Sequence, residues 1–260
     1  MFLDAESERP CVAHGGLVCG VLATEHVAAV AAIVVVAGGV ILAARLRPGR
    51  WTTTAGWVLA ALLISAEVGW WIYLATSGLS RSELATAFPL QLCDAAIFIA
   101  AFALLMRRQL LIEVTYFWGL AGTLQALITP DLPQHFPSFP YFQYYVAHGG
   151  IVTAALFLVV GLCQWPRRNA VFQVIAITIA YVLLVGAVDV ATGANYMYMR
   201  SKPPIASLFD LMGPWPWYLV GATVLGIALL FILEAPFRLM RLRDSARPSA
   251  HTRTGAEGRT

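Results

Sequence analysis

The sequence predicts an all-α, polytopic integral membrane protein with about seven transmembrane helices, and its composition, its apolar runs and its charge pattern all indicate this. Of its 260 residues, 59% are hydrophobic and only 12% are charged, whereas an average soluble domain has about 25% charged residues. A water-soluble globule is therefore not expected. A bilayer core about 30 Å thick requires roughly 20 apolar residues per helix, so the chain holds about seven crossings joined by short loops.

Seven apolar runs of helical length mark the expected crossings. They cover residues 26–44, 54–76, 86–106, 109–129, 142–163, 169–192 and 213–233. The chain is accordingly divided into a short external tail (1–24), a transmembrane domain (25–236) and a basic, disordered cytoplasmic tail (237–260). The first tail carries Asp4, Glu6 and Glu8 and lacks the basic start of a secretory signal peptide.

The distribution of basic residues predicts the orientation, because cytoplasmic loops carry an excess of Lys and Arg. Alternating loops place 13 of the 17 basic residues on one side. The other side has only four: Arg9, Arg81, Arg200 and Lys202. We therefore predict an external N-terminus and a cytoplasmic C-terminus. The net charge of +3 follows this topology, and a nucleic-acid partner is not expected.

The four cysteines form neither a disulfide framework nor a metal motif, since no pair has CxxC spacing. Pairing of Cys11 with Cys19 outside the cell is a hypothesis. No metal or cofactor is predicted. A metal site built from Glu67, Asp94, His148 and Asp189 is the alternative that spacing alone leaves open.

Ionisable side chains inside the membrane indicate a site, because each costs roughly 2.5–3.5 kcal/mol at the centre of a crossing on insertion scales. At about 1.5 Å per residue, Cys93 and His148 each lie roughly 10 Å below the outer boundary. Glu67, Gln125 and Asp189 also fall in the outer halves of their helices, and only Glu113 falls in the inner half. These groups predict a pocket open to the outer side. The alternative is a set of interhelical hydrogen bonds worth about 0.6 kcal/mol each.

The third segment carries the candidate nucleophile. Its sequence PLQLCD predicts that Pro89 begins the helix and that Cys93 follows one turn later, where a helix N-terminus stabilises a thiolate. Gln91, Cys93 and Asp94 share an arc of roughly 160°, so all three can face inward. His148 is the candidate base, and Tyr144 and Tyr145, four and three residues before it, are placed to orient its ring. A small packing cysteine and core tyrosines are the alternatives.

Several segments resemble the bacterial YwaF family of integral membrane proteins. They are TEHVAAV in the first helix, LQLCD in the third, YYVAHGG in the fifth and NYMYMRSKPPIASLFDLMGPWPWYL before the seventh. The resemblance covers roughly residues 24–236. That family is similar to eukaryotic transmembrane protein 164, an acyltransferase implicated in making polyunsaturated ether phospholipids. The resemblance implies a multi-pass protein of the bacterial plasma membrane, with Cys93 as nucleophile and His148 as base.

The leading functional hypothesis is a lipid acyltransferase, transacylase or acyl hydrolase that uses Cys93 and His148, with membrane lipids as substrate or ligand. Glu67, Gln91, Asp94, Gln125, Tyr145 and Asp189 are the predicted orienting or headgroup-binding residues. Asn195, Tyr196 and Lys202 of the last external loop are predicted to cover the pocket. The alternatives are a proton- or ion-coupled transporter or channel, which needs polar groups in the inner half as well, and a non-catalytic lipid-binding scaffold. Protein partners are not predicted.

Overall fold

A computed structural model describes residues 23–78, 80, 88–130, 132–203 and 207–245. The described chain contains these main helices: α1 Thr24–Leu46, α2 Arg50–Thr76, α3 Leu92–Met106, α4 Gln109–Ile128, α5 Phe139–Gly161, α6 Ala170–Thr192 and α7 Trp217–Ser245. Short 3₁₀ turns, Tyr196–Tyr198 and Leu208–Met212, lie between α6 and α7. The predicted all-helical bundle is confirmed.

Six of these helices are long and apolar enough to cross a membrane, and α3, with 15 residues, is the shorter apolar one. The predicted start of the third segment at residue 86 is wrong for the described part, because α3 begins at Leu92 with Gln91 as its N-cap. Pro89 therefore precedes the helix, and Cys93 is its second residue rather than lying one turn inside it. The depth of Cys93 below the outer membrane boundary stays a prediction.

Residues 88–91 enter the bundle as non-helical chain, and neighbouring side chains satisfy their backbone groups. The N–H of Phe88 donates to the hydroxyl of Tyr196 over 2.8 Å, and the carbonyl of Leu90 accepts from the hydroxyl of Tyr181 over 3.1 Å. The N–H of Gln91 donates to Asp94 Oδ2 over 3.1 Å. Irregular backbone at membrane depth requires such partners, because lipid offers none.

The structure describes part of the predicted C-terminal tail and almost none of the predicted N-terminal tail. Residues 1–22 of the predicted external tail (1–24), with Cys11 and Cys19, lie outside the described residues. At the other end, α7 continues to Ser245, so the predicted disordered tail starting at 237 is helical over its first nine residues. The remainder of that tail is not described.

The core lies where α2, α3, α4 and α5 pack together, and small residues permit the close approach. Ala96, Ala100 and Ala103 of α3 are fully buried. A Cβ added at Gly150 of α5 lies only 2.8 Å from Leu63 Cδ2 of α2. Small residues bring helix backbones together in membranes, where packing replaces the hydrophobic effect as the driving force.

The predicted cytoplasmic end is held by ion pairs around two fully buried carboxylates. Glu113 of α4 accepts from both Nε and Nη2 of Arg167, over 2.9 and 2.7 Å, and from Gln109 over 3.2 Å. Glu234 of α7 pairs with Arg238 over 2.9 Å. The hydrogen bonds that Arg167 donates to Glu113 raise the pKa of Arg167, so this guanidinium stays charged and compensates the buried carboxylate.

Candidate functional site

A cavity of about 390 Å³ lies at the predicted external end of the bundle. Helices α2, α3 and α5 form its walls, together with the non-helical chain before α3 and the segment after α6. Its lining includes six of the residues that the sequence predicts for the site: Glu67, Gln91, Cys93, Asp94, His148 and Tyr196. Residues from distant parts of the sequence therefore meet in one place.

His148 has a defined tautomer in this cavity. Its Nδ1–H donates to the carbonyl of Tyr144 over 2.8 Å, and the lone pair consequently resides on Nε2. The Tyr144 ring lies against the imidazole, with centroids 4.1 Å apart. Tyr144 thus fixes both the proton and the plane of the ring. Of the two tyrosines that the sequence places to orient this ring, Tyr144 makes the contact, whereas Tyr145 bonds His26 Nδ1 over 2.8 Å.

Cys93 lies in the first turn of α3, beside a distorted turn of α4. A π-helical turn at Gly119–Thr123 interrupts α4 and brings the hydroxyl of Thr123 beside the thiol. Such π-turns are frequent at functional sites. The first N–H groups of a helix lack intrahelical acceptors, so the backbone amides of Leu92 and Cys93 belong to the donors available at this position.

Two carboxyl groups face the same space and interact electrostatically, Glu67 from α2 and Asp94 from α3. Glu67 is 1% exposed. Its Oε1 accepts from Trp71 Nε1 over 3.0 Å, whereas its Oε2 is buried with no hydrogen-bond partner among the described residues. A buried oxygen of this kind is costly unless a ligand satisfies it.

Aromatic rings form much of the remaining wall. They belong to Trp70, Trp71, Phe88, Tyr144, Tyr196 and Tyr198. Burial raises the pKa of Tyr196, which therefore remains a neutral hydroxyl. Aromatic faces beside carboxylates provide the environment that cationic groups favour. Of these six residues, the sequence analysis proposed roles for Tyr144 and Tyr196 only. Trp70 and Trp71 follow Glu67 by three and four residues, and this spacing indicates that they lie on the same face of α2 as Glu67.

Gln91 and Asp94 also have structural roles at the start of α3. The amide oxygen of Gln91 accepts from the N–H of Met197 over 2.8 Å, which attaches the segment after α6 to this helix. Asp94 Oδ2 caps the N–H of Gln91. Both side chains therefore line the cavity while holding its wall in position.

Five predicted site residues lie outside the cavity lining. Gln125 is in the last turn of α4, and Tyr145 faces the opposite side of α5. Asp189 Oδ1 accepts from the N–H of Tyr196 over 2.9 Å. Tyr145 and Asp189 therefore support the bundle around the cavity.

The last two predicted residues stabilise the loop between α6 and α7. The side chain of Asn195 bonds the backbone of Arg200 and Ser201. Lys202 Nζ lies 3.4 Å from Asp210 and 5.7 Å from the centroid of the Tyr218 ring. Within the described part of the chain, no group of three or more His, Cys, Asp or Glu residues is arranged to hold a metal ion.

Comparison with known proteins identifies the family. The model of the TMEM164 family matches residues 21–234, a range that includes every helix from α1 to α6 and most of α7. The chain belongs to the TMEM164 family. Together with its six long apolar helices, this makes it a multi-pass membrane protein. No curated protein and no solved structure matched the chain. For this TMEM164 family member, the residues of the cavity are the basis for assigning the chemistry.

Proposed function

We propose that this protein is a lipid acyltransferase of the bacterial plasma membrane that transfers acyl chains between membrane lipids through a thioester on Cys93. The observation that carries the proposal is that Cys93 and His148 line one cavity, with the His148 lone pair on Nε2. A thiol nucleophile and an oriented imidazole base are the two groups that covalent acyl transfer requires.

The first half of the reaction cleaves the donor ester. His148 Nε2 takes the proton of the Cys93 thiol, and the sulfur attacks the ester carbonyl. The N–H groups at the start of α3, which lack intrahelical acceptors, donate to the oxyanion that forms. The carbon–oxygen bond then breaks, and the leaving lysolipid oxygen takes the proton from His148.

The second half reverses these roles. The hydroxyl of an acceptor lipid gives its proton to His148 and attacks the thioester, which releases the acylated lipid and restores the thiol. If water replaces the acceptor, the same residues perform acyl hydrolysis. The thiol and the imidazole need not be in hydrogen-bond contact in the absence of substrate, because catalytic hydrogen bonds often tighten only when substrate binds.

Glu67, Asp94 and the aromatic wall support a lipid with a cationic headgroup as the substrate. An ammonium group can bind the carboxyl group of Glu67, whose Oε2 has no partner among the described residues, and can pack against the aromatic faces. The transporter alternative receives less support, because Glu113, the predicted inner-half carboxylate, is already paired with Arg167.

Transfer by purified protein in liposomes tests this proposal. A phospholipid donor and a lysophospholipid acceptor should yield transferred chains by mass spectrometry, together with an acyl-enzyme that hydroxylamine releases. Cys93→Ala and His148→Ala should each remove most turnover, and the double variant should be little slower than either, because the two act as one unit. Cys163→Ala is the matched control, since Cys163 is exposed after α5. Full transfer by Cys93→Ala would refute the mechanism.

A further inference from the structure

A second concave surface lies directly behind Cys93. It is a groove of about 340 Å³ formed by α4, α6 and α7, with Leu92 of α3 at one end. Its lining comprises Leu92, Phe117, Trp118, Ala121, Gly122, Ile175, Thr178, Ile179, Val182, Leu183, Thr223, Gly226, Ile227 and Leu230. The side chains of Ile179 and Leu183 are 55% and 69% exposed, so the groove opens sideways toward lipid.

The walls of this groove are mostly apolar, and the polar side-chain groups among them are already hydrogen-bonded within the protein. The indole N–H of Trp118 donates to the hydroxyl of Thr178 over 2.8 Å, and that hydroxyl donates to the carbonyl of Val174. The hydroxyl of Thr223 donates to the carbonyl of Leu219 over 2.8 Å. No charged residue belongs to the lining. The groove therefore suits a hydrocarbon and excludes a headgroup.

The groove and the cavity are lined by neighbouring residues of the same two helices. Leu92 lines the groove and Cys93 lines the cavity, so two consecutive residues of α3 face the two spaces. In α4, Gly122 lines the groove and Thr123 lies beside the thiol. A Cβ placed on Gly122 lies 3.0 Å from Leu92 Cδ2, so the end of the Leu92 side chain packs against α4 between these two pairs of residues.

We infer that this groove holds the hydrocarbon chain of the acyl group that Cys93 carries, an assignment that rests on the proposed function. A carbonyl bound at the sulfur sits in the cavity, and its chain passes the Leu92 side chain into the groove. From Ile175 to Leu183 the groove follows α6 for about 12 Å at 1.5 Å per residue. Bilayer lipid is already apolar, so transfer into the groove has little hydrophobic gain, and the groove selects chains by shape.

Gly226→Leu tests the assignment, because a Cβ at this position meets no atom within 4 Å and the added side chain enters the groove without disturbing α7. Transfer from an equimolar set of donors with saturated chains of increasing length should shift toward shorter chains. We expect the preference for the longest chain to fall about tenfold, the scale of overfilling a packed site. The matched control is Ala32→Leu, which fills a separate apolar groove lined by α1, α2 and α5 and should leave the profile unchanged.

A binding measurement separates this inference from the proposed reaction. A phospholipid with a diazirine in its acyl chain is photolysed in liposomes containing the Cys93→Ala variant, and the labelled residues are mapped by mass spectrometry. Labelling at Ile175 and Leu230 should fall about tenfold, by the same overfilling, when Gly226→Leu is added, and should persist with Ala32→Leu.

The outcomes of the two measurements are distinct. If Gly226→Leu removes the labelling but no Cys93-dependent transfer is detected, the chain-binding groove is supported and the proposed reaction is refuted. If transfer depends on Cys93 but Gly226→Leu changes neither the chain-length profile nor the labelling, the groove assignment alone is overturned. A profile altered by Ala32→Leu instead places the chain in the groove beside α1 and also overturns the assignment.

Discussion

Individual carboxylates at the external end of the bundle have different roles, although the sequence places them at similar depth. Glu67 lines the cavity and has one buried oxygen with no hydrogen-bond partner among the described residues. Asp189, also 1% exposed, has an unpartnered buried oxygen of the same kind, but it lies outside the cavity lining and its Oδ1 accepts from the backbone of Tyr196. The first arrangement suits ligand binding, and the second fixes the chain that follows α6.

Asp189 is therefore expected to contribute to stability rather than to chemistry. Asp189→Ala leaves the buried N–H of Tyr196 without its acceptor, which costs about 1–3 kcal/mol, so the thermal midpoint in detergent should fall. Asp189→Asn retains the Oδ1 acceptor and should keep most of that stability and all of the acyl transfer. Loss of transfer in a stably folded Asp189→Asn protein would show that this carboxylate acts in the reaction.

Glu67 should behave in the opposite way. Glu67→Gln keeps the shape of the side chain and can still accept from Trp71, but it removes the negative charge that faces the cavity. Transfer from a lipid with an ammonium headgroup should drop about tenfold or more, the scale of losing a hydrogen-bonded partner for a charge, with the thermal midpoint unchanged or higher. Equal loss with a donor that has an uncharged headgroup would contradict headgroup recognition by Glu67.

At the scale of elements, α3 and α4 depart from regular helices at the positions that form the site. The non-helical chain before α3 and the π-turn of α4 bring Cys93 and Thr123 together. The opposite ends of these helices are regular, and there α4 is attached to the chain before α6 by the pair of Glu113 and Arg167. The ion pair and the π-turn therefore lie in opposite halves of α4.

Removing one member of this ion pair should loosen α4. Arg167→Ala leaves the fully buried Glu113 carboxylate without its cation. We expect the free energy of unfolding to fall by about 3 kcal/mol. This is the lower end of the range for a broken buried ion pair, because the Arg167 side chain is half exposed. Arg168→Ala, at the adjacent exposed position, should change stability by less than about 0.5 kcal/mol. Thermal unfolding monitored by circular dichroism in detergent compares the two; equal midpoints would show that the ion pair does not stabilise α4.

At the scale of the whole molecule, the charge pattern predicts that the cavity opens on the external side. Cysteines engineered at exposed positions in the loops around Ser138 and Ser207, at that end, should react with a membrane-impermeant maleimide added to intact cells. A tag after Thr260 should be protected until the membrane is permeabilised. Labelling of either loop only after permeabilisation would reverse the orientation and place the site on the cytoplasmic side.

The sequence by itself determined the membrane class, the helix count and most helix boundaries. These follow from the length of each apolar run and the positions of positive charges, which are local properties that interact directly with the bilayer. It also identified Cys93, His148, Glu67 and Asp94 as polar groups that need an explanation inside a membrane. Only the tertiary structure decided which groups share a cavity. The start of α3 depends on partners more than 80 residues away, Tyr181 and Tyr196. The direction of each side chain depends on the π-turn and on helix packing. Hydrophobic periodicity encodes neither the distant partners nor this packing.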